Sequence, residues 1–77
     1  MSAGVTTTEY GTVKFWIFDR GFGFIRPDGA SGPDVFVHVR NLERAGLDML
    51  ERGDRVEFQR ERDGRGWHAQ NVRLAPD

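Results

Sequence analysis

No cysteine occurs among the 77 residues, so neither disulfide bridges nor thiolate metal sites are available to staple the fold, and the composition suits a cytoplasmic setting better than a secreted one. No apolar stretch approaches the roughly 18 residues that a membrane span needs. The opening segment, Met1-Ser-Ala-Gly-Val-Thr-Thr-Thr-Glu-Tyr10, has neither a basic nor an apolar region of the secretory kind, which predicts a chain without a targeting label. An excess of charge is missing too: eleven Lys plus Arg against twelve Asp plus Glu give a formal net charge of −1. That argues against a protein that holds nucleic acid mainly by bulk positive charge. His38 and His68 are the only histidines, and without cysteine or a carboxylate at ligand spacing they predict no metal site. Nor is there a recognisable set of nucleophile, base and orienting group, so the reading is a non-enzyme with no cofactor and no small-molecule substrate. A chain this short has room for one domain, which buries only about 60% of the surface exposed by the unfolded chain.

What is present in quantity is aromatic. Six Phe, two Trp and one Tyr accompany ten Gly, and most of the Phe fall between Phe15 and Phe36. So many rings, several at alternate positions, exceed what one thin core can hide. Residues 1–9 are small, polar and aperiodic, which predicts a disordered tail ahead of a domain over residues 10–75. Tyr10 to Phe18 is rich in β-branched and aromatic residues and stops at Asp19-Arg20-Gly21, a strand followed by a turn. Phe22 to Arg26 makes a second strand, ended by Pro27-Asp28-Gly29 and a loop through Ser31-Gly32-Pro33. Asp34 to Val39 makes a third. Residues 40–54 read as a long connection with at most one short helical turn, Asn41-Leu-Glu-Arg-Ala45, with Asn41 as a candidate N-cap. Arg55 to Arg62 and Gly66 to Leu74 flank the hairpin signal Asp63-Gly64. Five short strands without a long helix predict an all-β fold, a small closed or nearly closed barrel.

Side chains alternate across a strand, so Phe22 and Phe24 share one face while Gly23 and Ile25 share the other. The same parity sets Val35, Val37 and Val39 against Phe36 and His38. Valines make an ordinary core, and the aromatic face is then the outside. The inverted assignment, with Phe22 and Phe24 inside, would expose three valines and Ile25, losing more apolar burial than it gains. In the first strand alternation groups Val13, Phe15 and Ile17 against Lys14, Trp16 and Phe18. A barrel strand must bend, however, and a bulge would switch the grouping midway; pattern alone leaves open whether Phe15 or Trp16 faces out. Exposed rings flanked by Lys14, Arg20 and Arg26 suit single-stranded nucleic acid, since each unpaired base offers a π-face and stacking contributes on the order of 1–3 kcal/mol per base.

Gly11-Thr-Val-Lys-Phe-Trp16, Arg20-Gly-Phe-Gly-Phe-Ile25 and Asp34-Val-Phe-Val-His38 closely resemble the bacterial cold-shock proteins, and the likeness runs from about Tyr10 to Leu74 through Gly53-Asp-Arg-Val-Glu-Phe58 and Asn71-Val72. It implies a five-stranded antiparallel barrel of the OB type, with the first ribonucleoprotein motif on strand two and the second on strand three. An RRM, which has a similar first motif, would need two amphipathic helices and the opposite motif order. The resemblance also implies that Phe22, Phe24, Phe36 and His38 stack bases and that Lys14 and Arg20 sit beside them as cations. Phe15 falls where that family most often has tryptophan and Trp16 where it often has phenylalanine, so the two rings are exchanged. Ile17 replaces a common asparagine and Val39 a usual surface aromatic, which predicts weaker binding at that corner.

Trp67 stands where the family commonly has proline, and two roles stay open for it: a supplementary stacking ring with Arg65 as phosphate partner, or a cover for the barrel end. Arg40 and Arg44 read first as a solvated loop, with a phosphate track beyond strand three as the other reading. The function implied is a monomeric binder of single-stranded RNA and DNA that acts as an RNA chaperone, with roles in transcription antitermination and translation under cold or other stress. The alternatives are a transcriptional regulator acting on specific DNA sites and, more distantly, a protein-interaction module that uses the aromatic patch.

Overall fold

The computed structural model of the chain describes residues 8–29 and 33–76. The tail expected over residues 1–9 lies, up to residue 7, outside the described residues, as do Ser31 and Gly32 of the β2–β3 loop. Five strands follow one another: β1 (Glu9–Ile17), β2 (Phe22–Pro27), β3 (Val35–His38), β4 (Arg55–Asp63) and β5 (Gly66–Leu74). They close into a barrel in the order β1-β2-β3-β5-β4, with β4 returning to β1. Four of the pairings are antiparallel. The fifth corrects the expectation of an antiparallel sheet throughout: β3 and β5 run parallel, with Phe36 opposite His68. Direction alternates through every connection, so β3 and β5 point the same way, and their pairing is parallel because the barrel order makes them neighbours.

That connection carries one 3₁₀ helix, Val39–Ala45, so Val39, expected to end the third strand, instead opens the helix. Its cap is His38 rather than Asn41. The His38 side chain accepts from the Arg40 backbone N–H at 3.1 Å, and Asn41 Oδ1 accepts from the His38 N–H at 3.0 Å, a reciprocal capping box. The helix ends at Gly46, whose φ of 74° is left-handed, the conformation in which glycine carries no Cβ penalty.

The core is built from Val13, Ile25, Val35, Val37, Leu42, Leu50, Val56, Phe58, Ala69 and Val72, all at most 1% exposed. The valine face of β3 is therefore the inside, and the inverted parity is excluded. Ion pairs tie the closing strands: Arg60 donates to Glu9 through Nε at 3.0 Å, and Arg55 grips Asp28 with both guanidinium ends, at 2.7 and 2.6 Å. On β5, Asn71 takes a φ of 52°. This local twist, beside a register shift between Glu57 and Gln59, turns Val72 inward where simple alternation from Ala69 would put it outside.

Candidate functional site

The bulge allowed for in the first strand lies at Lys14. Val13 pairs with Ile25 and Phe15 with Phe24, which leaves Lys14 as the extra residue. Because paired residues share a face, the bulge settles which ring of the Phe15-Trp16 pair turns outward. Phe15 joins Phe24 on the outer surface, their ring centroids 5.4 Å apart. Trp16 is opposite Gly23 and packs from the other side against the core. Gly23 makes this possible: a Cβ there would meet the Phe15 carbonyl and come within 2.9 Å of the Trp16 ring. Trp16, counted among the candidate binding residues, is thus not brought to the ring face. Its indole Nε1 is buried with no hydrogen-bond partner among the described residues.

β2 and β3 supply the rest of the surface. Phe22 pairs with His38 and Phe24 with Phe36, and all four are half-buried. The rings touch mainly edge-on or tilted: Phe24 and Phe36 at 5.7 Å, Phe22 and Phe36 at 5.6 Å, Phe22 and Phe24 at 6.5 Å. Such mutual contacts fix each ring while leaving one side to solvent. The apolar surface continues through Ile17, opposite Phe22 and 38% exposed, to Phe18 at the turn, 68% exposed. At the corner where an aromatic is absent, Val39 packs partly against the core and its N–H donates to the Gly21 carbonyl.

The cations divide into three groups. Lys14 reaches over the bulge to Asp34 at 3.0 Å, and Arg26 stands 4.0 Å from the same carboxylate, so Asp34 gathers positive charge at one margin. Asp34 shares the parity of Phe36 and His38, and that alternation could have identified it from the sequence. Arg20 is exposed in the β1–β2 turn. Arg40, Arg62 and Arg65 line an open groove of about 890 Å³ together with Phe24, Phe36 and His38. Arg44 does not extend this track, since it borders a separate hollow beside Glu57 and Arg73.

Trp67 edges the same groove, but β5 alternation puts it on the side of buried Ala69, against the core. The guanidinium carbons of Arg60 and Arg62 lie 5.1 and 5.6 Å from its ring centroid. Trp67 thus packs on the core with one side while it lines the groove with another. The arginines over the indole are Arg60 and Arg62, so the ring serves as their support.

His38 has a second constraint. Its Nδ1 accepts the Arg40 N–H, so in the neutral imidazole the proton resides on Nε2, away from the helix. The arrangement offers stacking surfaces at the centre, one oriented imidazole, and guanidinium or ammonium groups at the margins. It can hold planar rings joined by anionic links.

Comparison with known proteins agrees with this geometry. The family model described as the 'Cold-shock' DNA-binding domain matches residues 9–75. The chain is 46% identical over 66 residues to the cold shock-like protein CspA of Stigmatella aurantiaca, covering 86% of this chain and 96% of that protein. It is 42% identical over 67 residues to the cold shock protein CspC of Bacillus subtilis, covering 87% and 98%. Against the cold shock protein ScoF of Streptomyces coelicolor the identity is 42% over 62 residues, covering 80% and 91%.

Proposed function

The chain belongs to the cold-shock domain family, whose members bind nucleic acid, and from that premise we propose that its outer face binds short runs of single-stranded RNA and DNA. Phe15, Phe22, Phe24, Phe36 and His38 stack bases; Lys14, Arg20 and Arg65 meet phosphates at the margins. Trp16 supports the face from beneath and Trp67 from its end. The observation that carries this reading is the set of mutually touching rings, tilted or edge-on to one another and all at least partly exposed, on the outside of a closed barrel. A molecule of net charge −1 keeps rings at the surface of a small domain only at a cost in burial, and base stacking offsets that cost.

Holding bases apart favours the unpaired state of a transcript by mass action, without nucleotide hydrolysis. The biological role that follows is that of a cytoplasmic, monomeric RNA chaperone, with effects on transcription antitermination and on translation under cold or other stress.

Trp16 packs on the core side of the ring face and Trp67 at the groove edge, so binding is followed on a labelled oligonucleotide with tryptophan fluorescence beside it. The test titrates the protein into oligo-dT, a mixed-sequence RNA and a duplex at two salt concentrations, beside a Phe22→Ala, Phe24→Ala double variant. Loss of two stacked bases should weaken single-strand binding by about thirtyfold or more, and the salt slope should be shallow because few phosphates are contacted. A preference for the duplex would instead indicate a regulator acting on DNA sites, and absence of nucleic-acid binding would indicate a protein-interaction module.

A further inference from the structure

Followed across the barrel, the registers align one row of side chains. Phe15 lies opposite Phe24, Phe24 opposite Phe36, and Phe36 opposite His68. The row therefore continues past the second ribonucleoprotein motif onto β5, and its next member is an imidazole. From the sequence alone His68 has no role beyond that of a histidine without metal-ligand partners. Its neighbours fix which way it faces: Ala69 is fully buried and Trp67 packs on the core, so alternation turns His68 outward with Phe36. It lines the same groove as Phe24, Phe36 and His38.

The imidazole is also held. Its Nε2 lies 3.2 Å from Gln70 Nε2 and 3.5 Å from Glu61 Oε1, and the Gln70 amide donates in turn to the Glu61 carboxylate. β4 presents Glu61 directly opposite His68. A ring fixed at its edge loses little rotamer freedom when something settles on its face. Adjacent strands stand about 4.8 Å apart, so His68 lies one strand spacing beyond Phe36, as Phe36 does beyond Phe24.

We propose that His68 is the fourth ring of the stacking row, a subsite for one further nucleobase on β5, with Glu61 and Gln70 as the residues that position it. This rests on the reading that the outer face binds bases, and adds to it a longer footprint toward the β4–β5 hairpin. Arg65, in the turn of that hairpin, is placed to meet the phosphate beyond it.

The experiment measures affinity for oligo-dT of increasing length, from about 4 to about 10 nucleotides, with wild type, His68→Ala, His68→Phe and Phe24→Ala, each checked by its melting temperature. Wild-type affinity should climb with length and level off. His68→Ala should level off one nucleotide earlier at an affinity at least about fivefold lower, the factor that corresponds to about 1 kcal/mol for one stacked base; His68→Phe should restore the loss. The wild type gives an independent readout, because the His68 ring-proton resonances should move upfield on addition of the longer oligonucleotide. A His68→Ala curve that superimposes on wild type, with unmoved His68 resonances, while Phe24→Ala weakens binding at every length, would overturn the fourth subsite and leave the proposed function standing. Failure of the wild type to bind any length would overturn both.

Discussion

The exchange of two neighbouring rings in β1 separates binding from stability more cleanly than most positions allow. Phe15 is 37% exposed and touches Phe24, whereas Trp16 packs against the core over Gly23. Phe15→Ala is therefore expected to weaken oligonucleotide binding about fivefold or more while lowering unfolding free energy by less than about 1.5 kcal/mol, the scale of one aromatic contact. Trp16→Ala should do the reverse, destabilising by about 3 kcal/mol through cavity formation, with a smaller loss of affinity than Phe15→Ala at temperatures where the variant stays folded. Urea titration beside a binding curve distinguishes the two, and equal effects at both positions would contradict the assignment of faces. Alternation alone was unable to decide between these rings. A bulge is an insertion in pairing, and nothing in Val13-Lys-Phe-Trp16 marks Lys14 as the residue without a partner; the register with β2 does. The parity of Phe22, Phe24, Phe36 and His38 was legible because Ile25, Val35 and Val37 are uniformly apolar on the opposite face. The outward direction of His68 is legible in the same way, from its place between Trp67 and Ala69, but its register opposite Phe36 is not, because that depends on barrel closure.

At the scale of the element, the 3₁₀ helix Val39–Ala45 is joined to the ring face through its own cap. His38 is at once a member of that face and the helix N-cap, and Asn41 closes the box by accepting the His38 N–H. Asn41→Ala should destabilise by about 1 kcal/mol, the net worth of one hydrogen bond, and should also lower affinity by a few-fold because His38 loses one of its two anchors. Asn41→Asp keeps an acceptor oxygen and should retain most of both. The urea midpoint and the dissociation constant check this together. The helix itself was foreseen in position, but its start was misplaced by three residues. Histidine is an uncommon cap, and Asn41 has the residue type of a cap while occupying the third helical position. The strands were foreseen to within one or two residues, since runs such as Phe22 to Arg26 end at turn residues whose backbone conformation leaves little choice. The parallel pairing of β3 with β5 depends on strand order rather than on any local pattern: strands two apart in sequence point the same way, and only closure of the barrel makes these two neighbours.

For the whole molecule, one contribution to the acid limb of stability comes from a contact that joins the end of β2 to the start of β4. The Arg55 guanidinium beside Asp28, through hydrogen bonds first and charge second, holds that carboxyl below its ordinary value of 3.8 and stabilises the cation in return. A depressed carboxyl contributes stability that is fully present above its unfolded value and is lost as pH falls through its folded one. Melting temperatures of wild type and Asp28→Asn should therefore differ most near neutrality and converge in the acid range below 3.8. The gap should narrow in high salt, because the pair is exposed; a constant difference at every pH would remove Arg55 as the cause. Closure of the barrel has a different consequence for a protein that keeps several rings at its surface. An open sheet bearing the same rings would present them beside a row of unpaired N–H and C=O groups, the template on which strands from separate molecules add and aggregates grow. Here β4 returns to β1 and no sheet edge is left among the described strands. Self-association through the apolar face must then rely on side chains alone, without backbone pairing to propagate it.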